Sequence, residues 1–207
     1  MSHQLEALEQ IALVMAETED VESLSKLLRS DDANTRLLAS LALANKDEPA
    51  ATFELLKYER REGDPDVLSV LARVLGNVAR KTPCIASEIA DRLMVHLEHV
   101  DPLVRRAAII GLTTLLKTGR NRELKAMLGL AQAAHVDGDV FNRYAAAEGL
   151  YEWGVPHLQD ASGTLRHRLD HALFLMLRET LEACAKEDLP EVQRACLEAL
   201  VAMGETA

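Results

Sequence analysis

One spacing recurs along this chain and limits what it can fold into. Counting Asp101 as zero, "DPLVRRAAIIGL" puts Val104 at +3, Arg105 at +4, Ala108 at +7, Gly111 at +10 and Leu112 at +11. From Asp32 the same offsets hold Thr35, Arg36, Ala39, Ala42 and Leu43, and from Asp139 they hold Asn142, Arg143, Ala146, Gly149 and Leu150. From Asp64 the apolar positions persist but Leu68 replaces the Arg; from Leu189 the apolar skeleton alone survives, with Gln193 at +4. Offsets +3, +7, +10 and +11 fall on one stripe of an α-helix. Asp before the stripe is an N-cap, and Pro65 and Pro102 stand where a helix loses nothing by lacking an N–H. Small residues at +7 and +10 let a neighbouring helix approach closely.

The unit starts lie 32, 37, 38 and 50 residues apart, with a second helical pattern before each: roughly 21–30, 49–62, 84–98, 120–135 and 164–186. Each unit is thus a helical hairpin, and hairpins recurring at this period build a solenoid. The expected fold is all-α: about five hairpins (21–45, 49–80, 84–118, 120–153 and 164–203) in one domain over 1–207, capped by an N-terminal helix over 3–17. Composition agrees. Aromatics are only 3% and apolar residues 48%, and the dominant Ala and Leu lose little on entering a helix.

Asp32/Arg36, Asp101/Arg105 and Asp139/Arg143, together with the apolar stripe, resemble the HEAT-repeat family and its shorter bacterial HEAT-like members over about residues 21–203. The resemblance implies a right-handed α-α superhelix whose second helices line the concave side. It also implies an internal polar ladder, in which Arg36, Arg105 and Arg143 pair with turn acids of a neighbouring repeat, Asp32, Asp101 and Asp139 being the acids of the motif. Such pairs fix register without necessarily adding net stability.

Some HEAT-like proteins are enzymes. The di-iron hydroxylases carry repeated His-Glu dipeptides, and this chain has none. The alkylated-base glycosylases use a basic groove with aromatics; here Trp153 is the single Trp and the formal charge is −10. Nothing singles out the chromophore site of a bilin lyase. His167 and His171 stand at i, i+4 beside Asp170, a spacing that begins a metal site, but no matching second pair accompanies them. His96 and His99 stand near a helix C-terminus, where cations are favoured. Cys196 lies on the buried stripe. No metal and no cofactor are therefore expected.

Function then falls to the surface. Offsets +5, +9, +12 and +13 should point away from the stripe. There the sequence places Leu37 and Leu41; Ser69, Arg73, Gly76 and Asn77; Arg106, Ile110, Thr113 and Thr114; Tyr144, Glu148, Tyr151 and Glu152; Arg194 and Glu198. Arg and Tyr are favoured at interface hot spots, so Arg73, Arg106, Tyr144, Glu148, Tyr151 and Arg194 form the expected binding surface. Arg105, Arg106, Lys117, Arg120, Arg122 and Lys125 make the middle of the chain locally basic. The segment from Val155 to Gly163 interrupts the array as a loop.

The expected function is a non-catalytic scaffold or adaptor for a protein partner. The alternatives are a HEAT-like enzyme or lyase subunit with a small-molecule or nucleic-acid pocket, and an acidic inhibitor covering a basic target. Nucleic acid and anionic membranes are disfavoured by the charge. Three cysteines, none in a C-x-x-C pair, and the lack of a signal-like N-terminus point to the cytoplasm.

Overall fold

The computed structural model describes residues 2–117, 124–154, 171–186 and 189–203. Among them there are eleven α-helices and no strand. α1 (Ser2–Thr18) stands alone. The hairpins follow: α2 (Val21–Leu27) with α3 (Ala33–Asn45), α4 (Pro49–Glu59) with α5 (Pro65–Lys81), and α6 (Ala86–His96) with α7 (Pro102–Lys117). Then come α8 (Leu124–Val136) with α9 (Val140–Gly149), and α10 (His171–Cys184) with α11 (Pro190–Ala202). A 3₁₀ turn (Pro83–Ile85) leads into α6, and α9 runs on as a π-helix (Leu150–Gly154). None of these helices is long and apolar enough to cross a membrane.

The helices form two layers. α1, α3, α5, α7, α9 and α11 pack side by side in one, and the first helices of the hairpins form the other. α1 therefore belongs to the second-helix layer, beside α3.

The apolar stripe is buried as its period requires. Val104, Ala108 and Leu112 are fully enclosed, as are Val67, Leu71, Leu75, Val192, Cys196 and Ala199. Glycines draw α5 and α7 into backbone contact. A Cβ on Gly76 would lie 2.4 Å from the Gly111 carbonyl oxygen, and one on Gly111 would lie 2.5 Å from that of Ala72. Gly149 meets Thr113 in the same way at the next junction. Offset +12 of one unit thus packs on +10 of the next. Gly76 is buried in this seam, and Leu41 is buried too, so these two do not face solvent as their offsets suggested.

The close approach lies in the second-helix layer, which makes that layer the inside of the curve. Glu9 of α1 reaches Arg73 of α5 across the intervening α3, at 3.3 Å. Helices in one layer sit about 8–10 Å apart, so next-but-one neighbours meet only on a concave face. Lys81 locks the outgoing turn of the first hairpin. Its ammonium donates to the carbonyls of Ala44, Asn45 and Lys46 at 3.0–3.1 Å, where the last carbonyls of α3 have no partner within the helix.

Candidate functional site: the repeat ladder and the concave surface

The turns of the first four hairpins are built on two positions. At offset zero the Asp caps the second helix. Asp32 accepts from the Thr35 N–H at 2.8 Å, Asp101 from Leu103 at 2.8 Å, and Asp139 from Phe141 and Asn142 at 2.9 and 3.1 Å. Asp64 does the same for Asp66 and Val67. Two residues earlier, a side chain accepts the backbone N–H of the capping residue itself. Ser30, Glu62, His99 and Asp137 do this at 3.2, 2.8, 3.0 and 2.8 Å.

The Arg at +4 joins two repeats. Arg36 donates Nε and Nη2 to the Glu62 carboxylate at 2.9 and 3.1 Å, and Nη1 to the Ser30 and Asp31 carbonyls of its own turn. Arg105 repeats this with Asp137, both bonds at 2.9 Å, and with the His99 and Val100 carbonyls. The acid that answers the Arg is therefore two residues before the motif Asp of the next unit. This corrects the assignment of Asp32, Asp101 and Asp139 to that role: their carboxylates are already spent on helix N-termini.

The pattern explains the interruptions. Where the second unit has Leu68 in place of Arg, the third has His99 in place of the acid. The first unit has Ser30 at the acid position, and the last has Gln193 at +4. Arg143 Nε is buried without a hydrogen-bond partner among the described residues. The position two before Leu189 is Glu187, outside those residues.

Asp137 accepts from a further group, Asn142 Nδ2, at 3.3 Å. Burial pushes its carboxyl up, but the Arg105 hydrogen bonds, the Asp139 N–H, the Arg105 charge and Asn142 together hold it below the usual carboxylate range.

On the concave surface the expected binding residues are placed unevenly. Arg73 is tied to Glu9, a partner 64 positions away that no local spacing reveals. Arg106, Tyr144 and Arg194 occupy the +5 position on α7, α9 and α11, so they follow one another across the last three second helices. Arg106 is half-buried and has no ion-pair partner among the described residues. Tyr144, Tyr151, Glu148 and Arg194 are exposed. The Arg194 guanidinium lies over the Tyr151 ring, 5.1 Å from its centroid. Ile110, also exposed, adds an apolar contact near Arg106. A smaller groove of about 430 Å³ opens next to it between α1, α3, α5 and α7, with Glu9, Arg73, Asn77 and Ile110 in its walls.

Three of the six basic residues in the middle of the chain are engaged. Arg105 is held by Asp137, Lys125 by Asp91 at 2.7 Å, and Lys117 lies over the Trp153 ring. Arg120 and Arg122 lie outside the described residues, as do the 155–163 loop and His167 and Asp170 of the His-rich stretch. His96 has a fuller role than a charge at a helix end. It is buried against Glu59, whose other oxygen takes Arg92 Nη1 at 2.9 Å, so it joins α4 to α6 on the outer layer. Cys184 and Cys196 are buried and Cys84 is exposed. Among the described residues, no three His, Cys, Asp or Glu side chains converge as metal ligands.

No family model matches this chain, and no curated protein is similar to it at a significant level. Solved structures are. Two engineered proteins, crystallised as structural-genomics targets, superpose with TM-scores of 0.59 and 0.58 at 23% and 20% identity. They cover 96% and 97% of this chain, and it covers 89% and 91% of theirs. A designed armadillo repeat protein superposes with a TM-score of 0.55 at 16% identity, with 95% and 90% coverage. The chain shares the helical repeat solenoid fold with such proteins.

Proposed function

We propose that the chain is a non-catalytic protein-interaction module of the HEAT-like type, a scaffold or adaptor, and that its partner lies on the C-terminal half of the concave face. Units of two helices at intervals of 32 to 38 residues over most of the array support the HEAT-like form. The observation that carries the functional reading is the row formed by Arg106, Tyr144 and the Tyr151–Arg194 stack. Two exposed aromatic rings and a guanidinium with no ion-pair partner among the described residues sit on the second helices of the last three units. Arg and Tyr offer large contact area with a polar tip, at little ordering cost when helices hold them. The matching partner is an extended segment or a helix with an acidic group opposite Arg106 and apolar groups over the tyrosines. Arg73, the sixth residue of the expected surface together with Glu148, contributes less, because Glu9 already answers its charge.

The test is capture of a partner from a native extract of the cells that make the chain. Arg106→Glu combined with Tyr144→Ala is expected to weaken capture at least tenfold, as loss of two hot-spot contacts of about 1–2 kcal/mol each implies. Phe53→Ala, at an exposed site on α4 of the outer layer, is expected to leave it unchanged. Equal capture by the wild type and the double variant, with an unchanged helical spectrum, would place the partner elsewhere.

A further inference from the structure

The turns of the first four hairpins are built alike, and the fifth unit can be compared with them by sequence, which makes the chain its own control for what a turn requires. At −1 from the capping position stand Asp31, Gly63, Val100, Gly138 and Asp188; at +2 stand Asn34, Asp66, Leu103, Phe141 and Glu191. At −3 stand Arg29, Arg61, Glu98, Val136 and Lys186. The first, second and fifth units use only polar residues or Gly there. The third and fourth place Val100, Leu103, Val136 and Phe141 at these positions, and these are 90%, 64%, 69% and 68% exposed. The fold does not need apolar groups at these positions, and water disfavours them.

Two of the four, Val100 and Val136, are also together. Val100 and Val136 line one groove of about 1000 Å³, with Val95 on a third wall and α10 closing the far side through Thr180 and Ala183. The electrostatics of this groove are one-sided. Its exposed charges are Glu98 and Glu179, neither with an ion-pair partner among the described residues, while Arg105 on its floor is neutralised by Asp137. The C-terminal ends of α6 and α8 open into it, and helix C-termini carry partial negative charge.

We infer that this groove on the outer layer, at the turns of the third and fourth hairpins, is a second docking surface, and that it takes an amphipathic basic segment of a partner protein: an apolar stripe over Val100 and Val136, flanked by Lys or Arg facing Glu98 and Glu179. A second copy of this chain fits poorly, because each carries a net charge of −10 and the rim is itself acidic. The groove belongs to the opposite layer from the concave row, so the two surfaces can be occupied at once. A module of this kind joins two partners of opposite charge.

The probe is a labelled 18-residue helical peptide of Leu and Lys with the leucines on one face, read by fluorescence anisotropy at near-physiological salt; its twin with Glu for Lys is the control. The Leu/Lys peptide is expected to bind the full chain and the Leu/Glu peptide to bind at least tenfold more weakly. The triple variant Val95→Ser, Val100→Ser, Val136→Ser replaces the exposed valines that line the groove and should lose at least tenfold in affinity for the Leu/Lys peptide. Glu98→Gln with Glu179→Gln should lose about threefold or more, and Phe53→Ala, exposed on α4 away from the groove, should bind as the wild type does. The inference is overturned if the triple variant binds the Leu/Lys peptide as tightly as the wild type, because generic attraction to an acidic protein then explains the binding. Absence of binding to the wild type overturns it, and so does equal binding of both peptides. A concentration-dependent dimer in sedimentation, abolished by the triple variant, would also overturn it, giving the groove to a second copy.

Discussion

Gly111→Ala is expected to destabilise the protein by about 3 kcal/mol, a cost typical of overpacking a close helix contact. At roughly 2–4 °C per kcal/mol for a chain of this size, that is a fall of about 8 °C in melting temperature. Helix propensity alone predicts the reverse sign, since Ala is about 1 kcal/mol better than Gly inside a helix. The geometry decides between them. The new methyl would stand 2.5 Å from the Ala72 carbonyl oxygen and 3.0 Å from both methyl carbons of Leu93. Leucine methyls can turn aside, but a backbone carbonyl within a packed helix cannot, so α5 and α7 must part. Gly63→Ala is the control: a Cβ there meets nothing within 4 Å, and its melting temperature should stay within about 1 °C of the wild type. If Gly111→Ala melts at or above the wild type, the seam between α5 and α7 is looser than described.

Asp137→Ala is expected to cost about 3 kcal/mol, because it strands a guanidinium in a site built for an ion pair. Its side chain is 2% exposed and that of Arg105 is 16% exposed. The change also removes the acceptor for the Asp139 N–H and for Asn142. Arg105→Ala leaves the carboxylate with its backbone and Asn142 donors and should cost less, about 2 kcal/mol. The two losses should not add in the double variant, since each single change already breaks the same contact. The effect has a pH signature. A carboxyl held below its unfolded value contributes stability above roughly pH 4, the contribution fading as the pH falls through the lower, folded value. Asp137→Asn should therefore lie below the wild type in denaturant midpoint at pH 7, and the two curves should converge under acid. A gap that stays constant down to pH 2 would mean that the Asp137 charge is not what joins the repeats.

The caps, the apolar stripe and the small residues at +7 and +10 were legible in the sequence, because each rests on local geometry. A stripe repeats every turn of helix, and an N-cap acts within three residues. The acid of the ladder was not legible from the motif. Its position holds Ser30, Glu62, His99 and Asp137, which share only the ability to accept the backbone N–H of the capping residue two positions on. The signal was relational: the residue at this position changes with the +4 residue of the preceding unit, as Leu68 with His99 and Arg105 with Asp137. Gly76 was assigned to the concave surface because helical spacing gives a direction and not a distance. It faces inward, but α7 is too near to leave it in water. Arg73 looked free because its partner lies on a helix outside the repeat pattern. Of the concave row, residue types and offsets gave Arg106, Tyr144, Tyr151 and Arg194. The stacking of the last two required the three-dimensional register of α11 on the π-helix.

The most direct test of the interaction-module reading is site-specific photocrosslinking. A photoreactive phenylalanine analogue replaces Tyr144, Tyr151 or Phe53 in turn, and each protein is irradiated in native extract. The same crosslinked partner is expected from positions 144 and 151 and none from position 53, whose exposed ring lies on the outer layer. A partner captured from position 53 alone, with 144 and 151 silent, would contradict it.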